Sequence, residues 1–530
     1  MRRLSLRLLV PLGIAAAAGV ASGQPNTIPG TDVELGILDG INVHAHTGAF
    51  PTGEMSMSMS TTSCNVGSVN VPWLAPMNPD HPFIAFMVAR ETDGRLEQIS
   101  DRSFVKHGFY ALSSSQCTPC LNPSNGTFLG VGCSDTYKAS TNANHDYLGP
   151  ADEVDPWTGA WDPVCSYFDQ GYPPVGAPND CNGIKSPLSA PDALGRLVRI
   201  HDFDLDSPSS SFYYQAHYVV IAEPEANREN NLGSRRVFPN WNGNQWEMAV
   251  PGGGGNPLVQ GTVLGRWTGA TVASATNGND DGRVYVGFRT QDNGDGTYRY
   301  EYALHNRDNF RGIKSFAVPV PPGVTLSNVG FHDIDQDAQN DWTSNQNAAE
   351  IVFSTVDNPL RWNTIYNFWF DADAPPSSCA PATLEQYDPG PGLASITVDV
   401  ASPGAASSYG TPEIGSSGTA AVMGTAGGAP SVGNPNFAVT VSGAKPNSFT
   451  FMLEGDNVGN NVQPWGTIVV AGPNFFRTIT TTNGLGEASV VIPVLPAMVG
   501  TTKRYQYVTR DPGFGGNLQA SDGLEVTFCP

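Results

Sequence analysis

Charged residues are scarce in this chain of 530 residues, of which they make up 14%. Helical proteins depend on Glu, Lys and Arg for their exposed faces, and no useful run shows a helical period, so the sequence excludes a mainly helical fold. Basic residues are the scarcer kind: 27 Lys and Arg stand against 49 Asp and Glu, for a net charge of −22. Because phosphate binding needs clustered basic side chains, we expect no nucleic-acid partner.

Reaction motifs and long apolar runs are also missing. The sequence contains no Gly-x-Ser-x-Gly elbow, no His-Glu-x-x-His pair and no P-loop, which are the local signatures of several enzyme classes. A Ser-His-Asp triad can still be assembled from distant positions, so these absences weaken an enzymatic interpretation without excluding it. Beyond Ala18 no apolar run reaches the roughly 20 residues of a bilayer span, and we expect no transmembrane segment in the mature chain.

Residues 1–23 have the pattern of a signal peptide. Three arginines lie close to the start of the chain, Leu8–Ala18 is an apolar stretch, and Ala21 and Gly23 are the small residues of a cleavage site before Gln24. We therefore expect a protein that is secreted or located at the cell surface, in an extracellular or periplasmic compartment.

The eight cysteines agree with export, because an even number in an exported chain is typical of disulfides. The pairing of the six between Cys64 and Cys181 stays open, whereas Cys379 and Cys529 are predicted to bridge the ends of a C-terminal module. Cys117-x2-Cys120-x12-Cys133 also resembles part of a zinc site or a redox pair. An oxidising compartment favours disulfides over both alternatives.

Alternating apolar residues predict strands throughout the chain. Val284–Phe288 and Tyr298–Leu304 alternate on either side of the turn Asp292–Gly296, which predicts a β-hairpin. Shorter runs are found in both halves of the chain: Pro82–Ala89, Phe104–Leu112, Leu197–Ile200, Tyr213–Ile221, Lys314–Val320, Val324–Phe331, Glu350–Ser354, Trp362–Phe370, and six between Phe437 and Phe528. The predicted fold class is all-β, with tandem antiparallel β-sandwich modules and a loop-rich, disulfide-containing N-terminal part.

Gly-, Pro- and Ser-rich segments divide the chain into predicted domains. A loop-rich, cysteine-containing β domain covers 24–245, a β-sandwich 246–375, a linker 376–429 and a C-terminal β-sandwich module 430–530. The boundaries rest on Pro251–Gly255, on Pro375–Ser378, and on the small residues from Ala401 to Ala429. Whether the part before residue 375 is one folding unit or two stays open.

Several segments resemble a group of exported β-rich bacterial proteins that share a C-terminal β module. The segments that carry the resemblance are Val105–Phe109, Leu129–Asp135, Leu360–Phe368, Pro430–Phe437, Asn483–Ala488 and Ser521–Phe528. The resemblance implies an exported, β-rich protein of several modules, and it assigns no catalytic residue.

A repeated hexapeptide is the most specific feature of the sequence. His201–Asp206 recurs as His332–Asp337, and each copy follows a strand-like run. Carboxylates at alternate positions can supply the oxygen ligands of Ca²⁺, although neither copy has the Gly and Glu of an EF-hand. The sequence therefore predicts calcium at Asp202, Asp204, Asp206, Asp333, Asp335 and Asp337. The alternative is a strand end whose acids point into water.

Histidines offer a second candidate site. His44 and His46 are alternate residues of one predicted strand, and His81 or His107 could complete a copper or zinc site with them. The adjacent Lys106 and His107 also have the chemistry of acid–base catalysis.

Tryptophans in turn-rich segments suggest a polysaccharide ligand, because exposed rings can stack on sugar faces. Trp157 and Trp161 form one such pair, and Trp241 and Trp246 form another. Burial in a sandwich core is nevertheless favoured for every ring, because aromatic side chains dominate buried area, and these two pairs are the likeliest exceptions.

These observations favour an exported, non-enzymatic surface or extracellular binding protein. Calcium stabilisation and a polysaccharide or cell-envelope partner belong to this hypothesis. The alternatives are a secreted hydrolase or metal-dependent oxidoreductase with its site in the N-terminal domain, and a structural envelope component.

Overall fold

The structure is a computed structural model, and it describes residues 27–75, 77–102, 104–171, 181–186, 192–252, 255–276, 282–376, 378–390, 392–404, 407–473 and 476–529. The predicted signal peptide lies outside the described residues. The chain is nearly all β, as predicted, and the named strands pair antiparallel throughout. Among the described helices, none is long and apolar enough to cross a bilayer.

Two sheets and a short ribbon form the N-terminal part. The first sheet contains β1 (Val33–Thr47), β2 (Glu54–Asn65), β8 (Ser134–Tyr137) and β10 (Val198–His201). The second sheet contains β4 (Phe83–Thr92), β5 (Arg95–Gln98), β6 (Phe104–His107), β9 (Leu148–Pro150), β11 (Ser211–Val219), β12 (Leu232–Trp241), β13 (Trp246–Ala249) and β14 (Val259–Gln260). The ribbon pairs β3 (Val71–Pro72) with β7 (Phe128–Leu129).

Two further sheets form the middle of the chain. The third sheet runs β15 (Thr271–Thr276), β16 (Arg283–Asp292), β17 (Tyr298–Asn306), β22 (Thr364–Ala372) and β19 (Leu326–His332). The fourth runs β20 (Thr343–Gln346), β21 (Glu350–Ser354), β18 (Ile313–Pro319), β23 (Ser378–Gln386) and β24 (Ser395–Ser402). Strands β16 and β17 are the predicted hairpin.

A separate sandwich ends the chain, and we call it the C-terminal module. One of its sheets runs β25 (Ser407–Tyr409), β34 (Leu518–Thr527), β33 (Thr502–Arg510), β28 (Phe449–Gly455) and β31 (Phe476–Thr481). The other contains β26 (Val422–Ala426), β27 (Ala438–Ser442) and β32 (Ala488–Val491), and β29 (Asn457–Gln463) and β30 (Gly466–Ala471) form a hairpin.

Helical structure in the described residues is limited to short turns. Two of them are α-helical, α1 (Ala139–Asn142) and α2 (Asp202–Leu205), and 3₁₀ turns lie at His145–Tyr147, Ala151–Glu153, Tyr167–Asp169, Glu225–Asn230, Val263–Arg266, Pro496–Met498 and Gly515–Asn517.

The first four sheets stack face to face, and we call this unit the four-layer stack. Successive residues of β11 point to opposite faces: Tyr214 enters the core between the first and second sheets, and Tyr213 enters the layer between the second and third. The third and fourth sheets enclose another core, which contains Phe316 and Phe368. Because β4 and β11 are covered on both faces, their apolar runs are nearly continuous rather than alternating.

The layer between the second and third sheets is rich in directional polar contacts. Gln98 accepts a hydrogen bond from the backbone N–H of Ile365 at 2.8 Å, and Asn367 donates to the carbonyl of Leu96 at 2.8 Å. The Arg95 guanidinium binds the Glu301 carboxylate at 2.7 Å. These contacts fix the two halves of the stack against each other.

The strand pairs differ from the predicted boundaries. Strands β13 and β14 extend the second sheet beyond residue 245, and β23 and β24 complete the fourth sheet within the predicted linker 376–429. Strands β25 and β26, in the same range, belong to the C-terminal module. Strand β24 buries Ile396, Val398 and Val400 in the core between the third and fourth sheets, so the small residues that follow it do not mark the start of a linker.

All eight cysteines form disulfides. The pairs are Cys64–Cys117, Cys120–Cys133, Cys165–Cys181 and Cys379–Cys529. The predicted bridge from Cys379 to Cys529 is confirmed, and it ties β23 of the stack to the end of the C-terminal module. The zinc and redox alternatives are wrong, since Cys117 and Cys120 have different disulfide partners.

Candidate functional site

The first hexapeptide ends β10 and forms the turn α2. The Asp202 carboxylate is completely buried there and accepts hydrogen bonds from three donors. His46 Nε2 donates at 2.9 Å, Trp246 Nε1 at 2.8 Å and the backbone N–H of Gly53 at 3.0 Å. Hydrogen-bond donors therefore occupy the positions around this carboxylate that a cation would need.

The other two acids of this copy separate from Asp202. Asp204 lies 3.2 Å from the Arg90 guanidinium, and burial raises the pKa of its carboxyl group despite that cation. Asp206 is exposed at the end of α2. The structure thus places the three predicted ligands in three different environments.

The second hexapeptide lies in an open loop after β19. Asp333 accepts from the backbone N–H of Asp335 at 3.0 Å, and Asp335 accepts from that of Asp337 at 2.7 Å. Asn358 donates to the other oxygen of Asp333 at 2.6 Å. Burial and the neighbouring acids Asp335 and Asp341 raise the pKa of Asp333.

The described part of the chain contains no group of three or more His, Cys, Asp or Glu side chains arranged to hold a metal ion. The two hexapeptides are nevertheless not equivalent. The first is enclosed by donors, whereas the second presents carboxylates that form no ion pair with a described basic side chain.

The predicted histidine site divides into separate pairs. His46 binds Asp202, while His44 Nε2 lies 2.7 Å from Ser58 Oγ. The hydroxyl proton of Ser58 is donated to the carbonyl of Ala139 at 2.8 Å. His44 must therefore donate to Ser58 instead of accepting its proton, which is the reverse of what a serine nucleophile requires.

His81 and His107 form the other pair. His81 Nε2 lies 3.0 Å from His107 Nδ1, and both imidazoles are fully buried among aromatic rings. Burial lowers the pKa of His81 to about 4, so the pair is neutral at physiological pH. Neither ring has access to solvent.

Lys106 is equally inaccessible. Its ammonium group donates to the carbonyl of His107 at 2.8 Å and lies 4.3 Å from the ring centre of Phe109, 4.5 Å from that of Tyr147 and 5.2 Å from that of Tyr137. Burial holds the pKa of this amine well below its ordinary value. The predicted acid–base pair of Lys106 and His107 is thus part of the core and does not line a cleft.

The favoured burial of the tryptophans is confirmed for three of the four paired rings, which are therefore not the exposed exceptions that their turn-rich segments suggested. Trp157, Trp161 and Trp246 are at most 5% exposed. Trp241 is partly buried and stacks on Phe50 with ring centres 4.7 Å apart. Burial of these rings is possible because their indole N–H groups have hydrogen-bond acceptors in the core. Trp161 donates to the Glu153 carboxylate, and Trp246 donates to that of Asp202.

A groove that the sequence did not indicate lies where the third sheet meets the C-terminal module, and we call it the junction groove. Its two larger cavities have volumes of ≈340 and ≈350 Å³, and a smaller one has ≈150 Å³. Thr290 lines all three cavities, Arg289 lines two, and Gly427 and Gly428 face Thr290 from the C-terminal module.

Backbone and short polar groups form most of this groove. Gly427 and Gly428 have φ values of 81° and 93°, which glycine adopts at little cost. A Cβ on Gly428 would lie 3.9 Å from Thr290 Oγ1, so a side chain there would narrow the groove. In the smallest cavity, Arg289 and Arg299 are balanced by Asp93 and Glu301, and Tyr298 supplies an aromatic ring to one of the larger cavities.

Comparisons with known proteins give structural likeness only. No family model and no curated protein matches the chain. The major pilin subunit of Bacillus cereus is similar at a TM-score of 0.16 and 11% identity, over 62% of this chain and 79% of that one. A tetra-tandem repeat from the extending region of a large adhesion protein has a TM-score of 0.13 and 8% identity, over 94% of this chain and 74% of that one.

Proposed function

We propose that the protein is an exported surface or extracellular binding protein and that the junction groove holds a polysaccharide. The observation that carries the proposal is the lining of the groove: exposed backbone, hydroxyl and amide groups, with charges of both signs balanced at one end. A binding site needs a few fixed polar groups that set the orientation of the ligand. Hydroxyl-rich, weakly charged chains match this lining better than strongly charged ligands do.

The four disulfides support the exported location, because such bonds persist in oxidising compartments. The rigidity of the groove supports binding. One wall belongs to the third sheet, and the other belongs to the C-terminal module, which the Cys379–Cys529 bridge ties to the stack. A preformed groove loses little entropy when a ligand binds.

Filling the groove tests this proposal. Thr290→Trp places a large ring where all three cavities meet, and Thr343→Trp on the exposed strand β20 is the matched control. In affinity electrophoresis through gels that contain individual polysaccharides, we expect at least one to retard the native protein and the control but not Thr290→Trp. Retardation by none, or equal retardation of both variants, would overturn the assignment of the groove.

We further propose that calcium stabilises the second hexapeptide. Asp333, Asp335 and Asp337 form no ion pair with a basic side chain of the described chain. Burial and neighbouring carboxylates raise the pKa of Asp333, and a bound cation would offset that effect by stabilising the ionised carboxylate. After treatment with EDTA, added Ca²⁺ should raise the thermal midpoint, and Asp335→Asn should abolish the rise.

Asp204→Asn is the matched control for that measurement, because Asp204 is already paired with Arg90. It should leave the calcium-dependent rise intact. A midpoint that Ca²⁺ does not change in the native protein would remove calcium from the proposal and leave the groove unaffected.

A further inference from the structure

Arg289 is the one charged side chain among the described residues that line the ≈340 Å³ cavity of the junction groove. It lies on β16 and is partly buried. Its Nη1 donates to the carbonyl of Gly94 at 2.9 Å, and its Nη2 lies 3.4 Å from Gln291 Oε1. Both acceptors are uncharged, and Arg289 forms no ion pair with a carboxylate of the described chain. Because a guanidinium has five N–H donors, Arg289 keeps donors and its whole charge for a ligand.

The other charged groups at this end of the groove are already paired or exposed. In the ≈150 Å³ cavity, the Arg299 guanidinium lies 3.0 Å from the Glu301 carboxylate, which also binds Arg95 at 2.7 Å. Asp93 lines the same cavity, but its side chain is exposed, so water weakens its attraction for a cation. Arg289 is therefore the cation of this groove that lacks a carboxylate partner.

The main chain on the opposite wall of the ≈340 Å³ cavity adds further donors. The side-chain amide of Asn434 donates to the carbonyl of Gly427 at 2.9 Å and to that of Ala429 at 2.7 Å, which fixes this turn and engages both acceptors. Gly428 and Gly433 also line the cavity, and their N–H groups donate to no atom of the described chain. This wall thus offers a ligand N–H donors held in fixed positions.

We propose that this cavity binds the carboxylate of a uronic acid, so that the polysaccharide held by the junction groove is one that contains uronate. The inference rests on the proposed function and names the class of sugar that the groove selects. An ionised carboxylate only accepts hydrogen bonds, which suits a cavity of donors, and its two oxygens match the planar fork of a guanidinium. An uncharged sugar would leave Arg289 without an anionic partner.

The charges along the groove also set how densely the ligand carries carboxylates. In the ≈350 Å³ cavity, Asp292 is the one charged side chain among the described lining residues, and Thr290 lines both this cavity and that of Arg289. A second carboxylate close to the first would therefore meet an acid. The net charge of −22 also repels densely charged polyanions. We expect a chain in which uronate is separated by uncharged sugars.

Affinity electrophoresis of the full-length protein with chemically matched polysaccharides tests this inference. The probes are hyaluronan and unsulfated chondroitin, in which glucuronate alternates with an uncharged sugar, their carboxyl-reduced forms, chondroitin sulfate, and polygalacturonate, in which every sugar is charged. At least one of the two alternating chains should retard the native protein. Carboxyl reduction should weaken that binding at least about tenfold, because hydrogen bonds between charged groups are the strong ones, and polygalacturonate should bind less tightly.

Substitutions of Arg289 show whether this side chain reads the carboxylate. Arg289→Gln should bind the native and carboxyl-reduced chains equally, and Arg289→Lys should keep part of the preference because it retains the charge but not the fork. The matched control is Arg236→Gln. Arg236 is exposed on β12 outside the groove, where it donates to Ser211 Oγ at 3.1 Å, and its loss should change nothing.

The possible outcomes separate this inference from the proposed function. Binding that Thr290→Trp abolishes, but that neither carboxyl reduction nor Arg289→Gln weakens, would overturn the uronate assignment and leave the groove as a polysaccharide site. Tighter binding of chondroitin sulfate than of unsulfated chondroitin would overturn it in favour of a sulfate ester. Retardation by no polysaccharide at all would overturn both proposals. An unchanged thermal midpoint of Arg289→Gln would show that its effect on binding is not a loss of folding.

Discussion

Asp308 is a buried carboxylate on which the packing of the four-layer stack depends. Its side chain is 1% exposed and lies 2.8 Å from the Arg307 guanidinium and 3.5 Å from that of Arg228. It also accepts a hydrogen bond from the backbone N–H of Arg283 at 2.7 Å. One anion thus compensates two buried cations between the second and third sheets.

Asp308→Asn keeps the shape of the side chain and removes its charge. Without the Asp308 charge, Arg307 still has the Glu229 carboxylate at 3.1 Å. Arg228 is the less well compensated cation, because burial already lowers the pKa of its guanidinium group. Removing one partner of a buried ion pair costs about 3–5 kcal/mol because it leaves an uncompensated charge. We expect a loss of that size in the free energy of unfolding of the stack.

Tryptophan fluorescence during urea unfolding measures this loss selectively. Of the ten tryptophans, only Trp465 lies in the C-terminal module, so the signal reports on the stack. The matched control is Asp388→Asn, whose carboxylate is 46% exposed and paired with Arg361, and surface pairs of this kind contribute about 0–1 kcal/mol.

A second variant separates charge compensation from a simple loss of hydrogen bonds. Adding Arg228→Met to Asp308→Asn removes the less well compensated of the two cations and should recover part of the loss. If Asp308→Asn costs less than about 1 kcal/mol, or no more than the Asp388 control, the ion cluster does not determine the stability of the stack.

Three further predictions concern single interactions. Replacing Cys379 and Cys529 with Ser opens a loop with a sequence separation of 150 and should destabilise the C-terminal module by up to about 5 kcal/mol in the chain-entropy account, measured by calorimetry against the Cys165–Cys181 pair as control. Burial raises the pKa of Glu223 to about 8. The stability that its protonated form contributes is therefore complete below the unfolded pKa near 4.5 and is lost as the pH rises to 8. In urea unfolding, Glu223→Gln should reduce this decline by up to about 1.4 kcal/mol per pH unit. His81, with a pKa lowered to about 4, stays neutral while the unfolded chain binds a proton, so stability should fall from pH 6.5 to 4, and an unaltered fall in His81→Gln would refute this assignment.

The fold class was predictable because period-two alternation records which residues face a core. The hairpin of β16 and β17 and the strand β21 lie where the pattern placed them. Strand β2 was missed, although it alternates Met55, Met57 and Met59, all fully buried, with serines. Neither Met nor Ser is enriched in strands, so this sheet depends on packing that no single segment reveals.

The junction groove was beyond the reach of the sequence for a different reason. One wall comes from residues 269–271 and 288–292, and the other comes mainly from residues 425–436, which approach the first only because the C-terminal module folds back against the stack. Glycine, threonine and asparagine in those segments have the composition of ordinary turns. Local composition therefore identifies turns but cannot show which of them face one another.

The two hexapeptides show most directly how context determines the role of a residue. Asp202 and Asp333 follow a histidine in almost the same local sequence, yet Asp202 has lost all contact with solvent to donors that lie far away in the chain. His46 and Trp246 are separated from it by 156 and 44 residues. At Asp333, Asn358 is the one side-chain donor brought in from another segment of the described chain, and it leaves Asp335 and Asp337 at the surface. At the first copy a cation would have to displace three hydrogen bonds, of which the one from Trp246 joins the first and second sheets, whereas at the second copy two of the three carboxylates stay exposed.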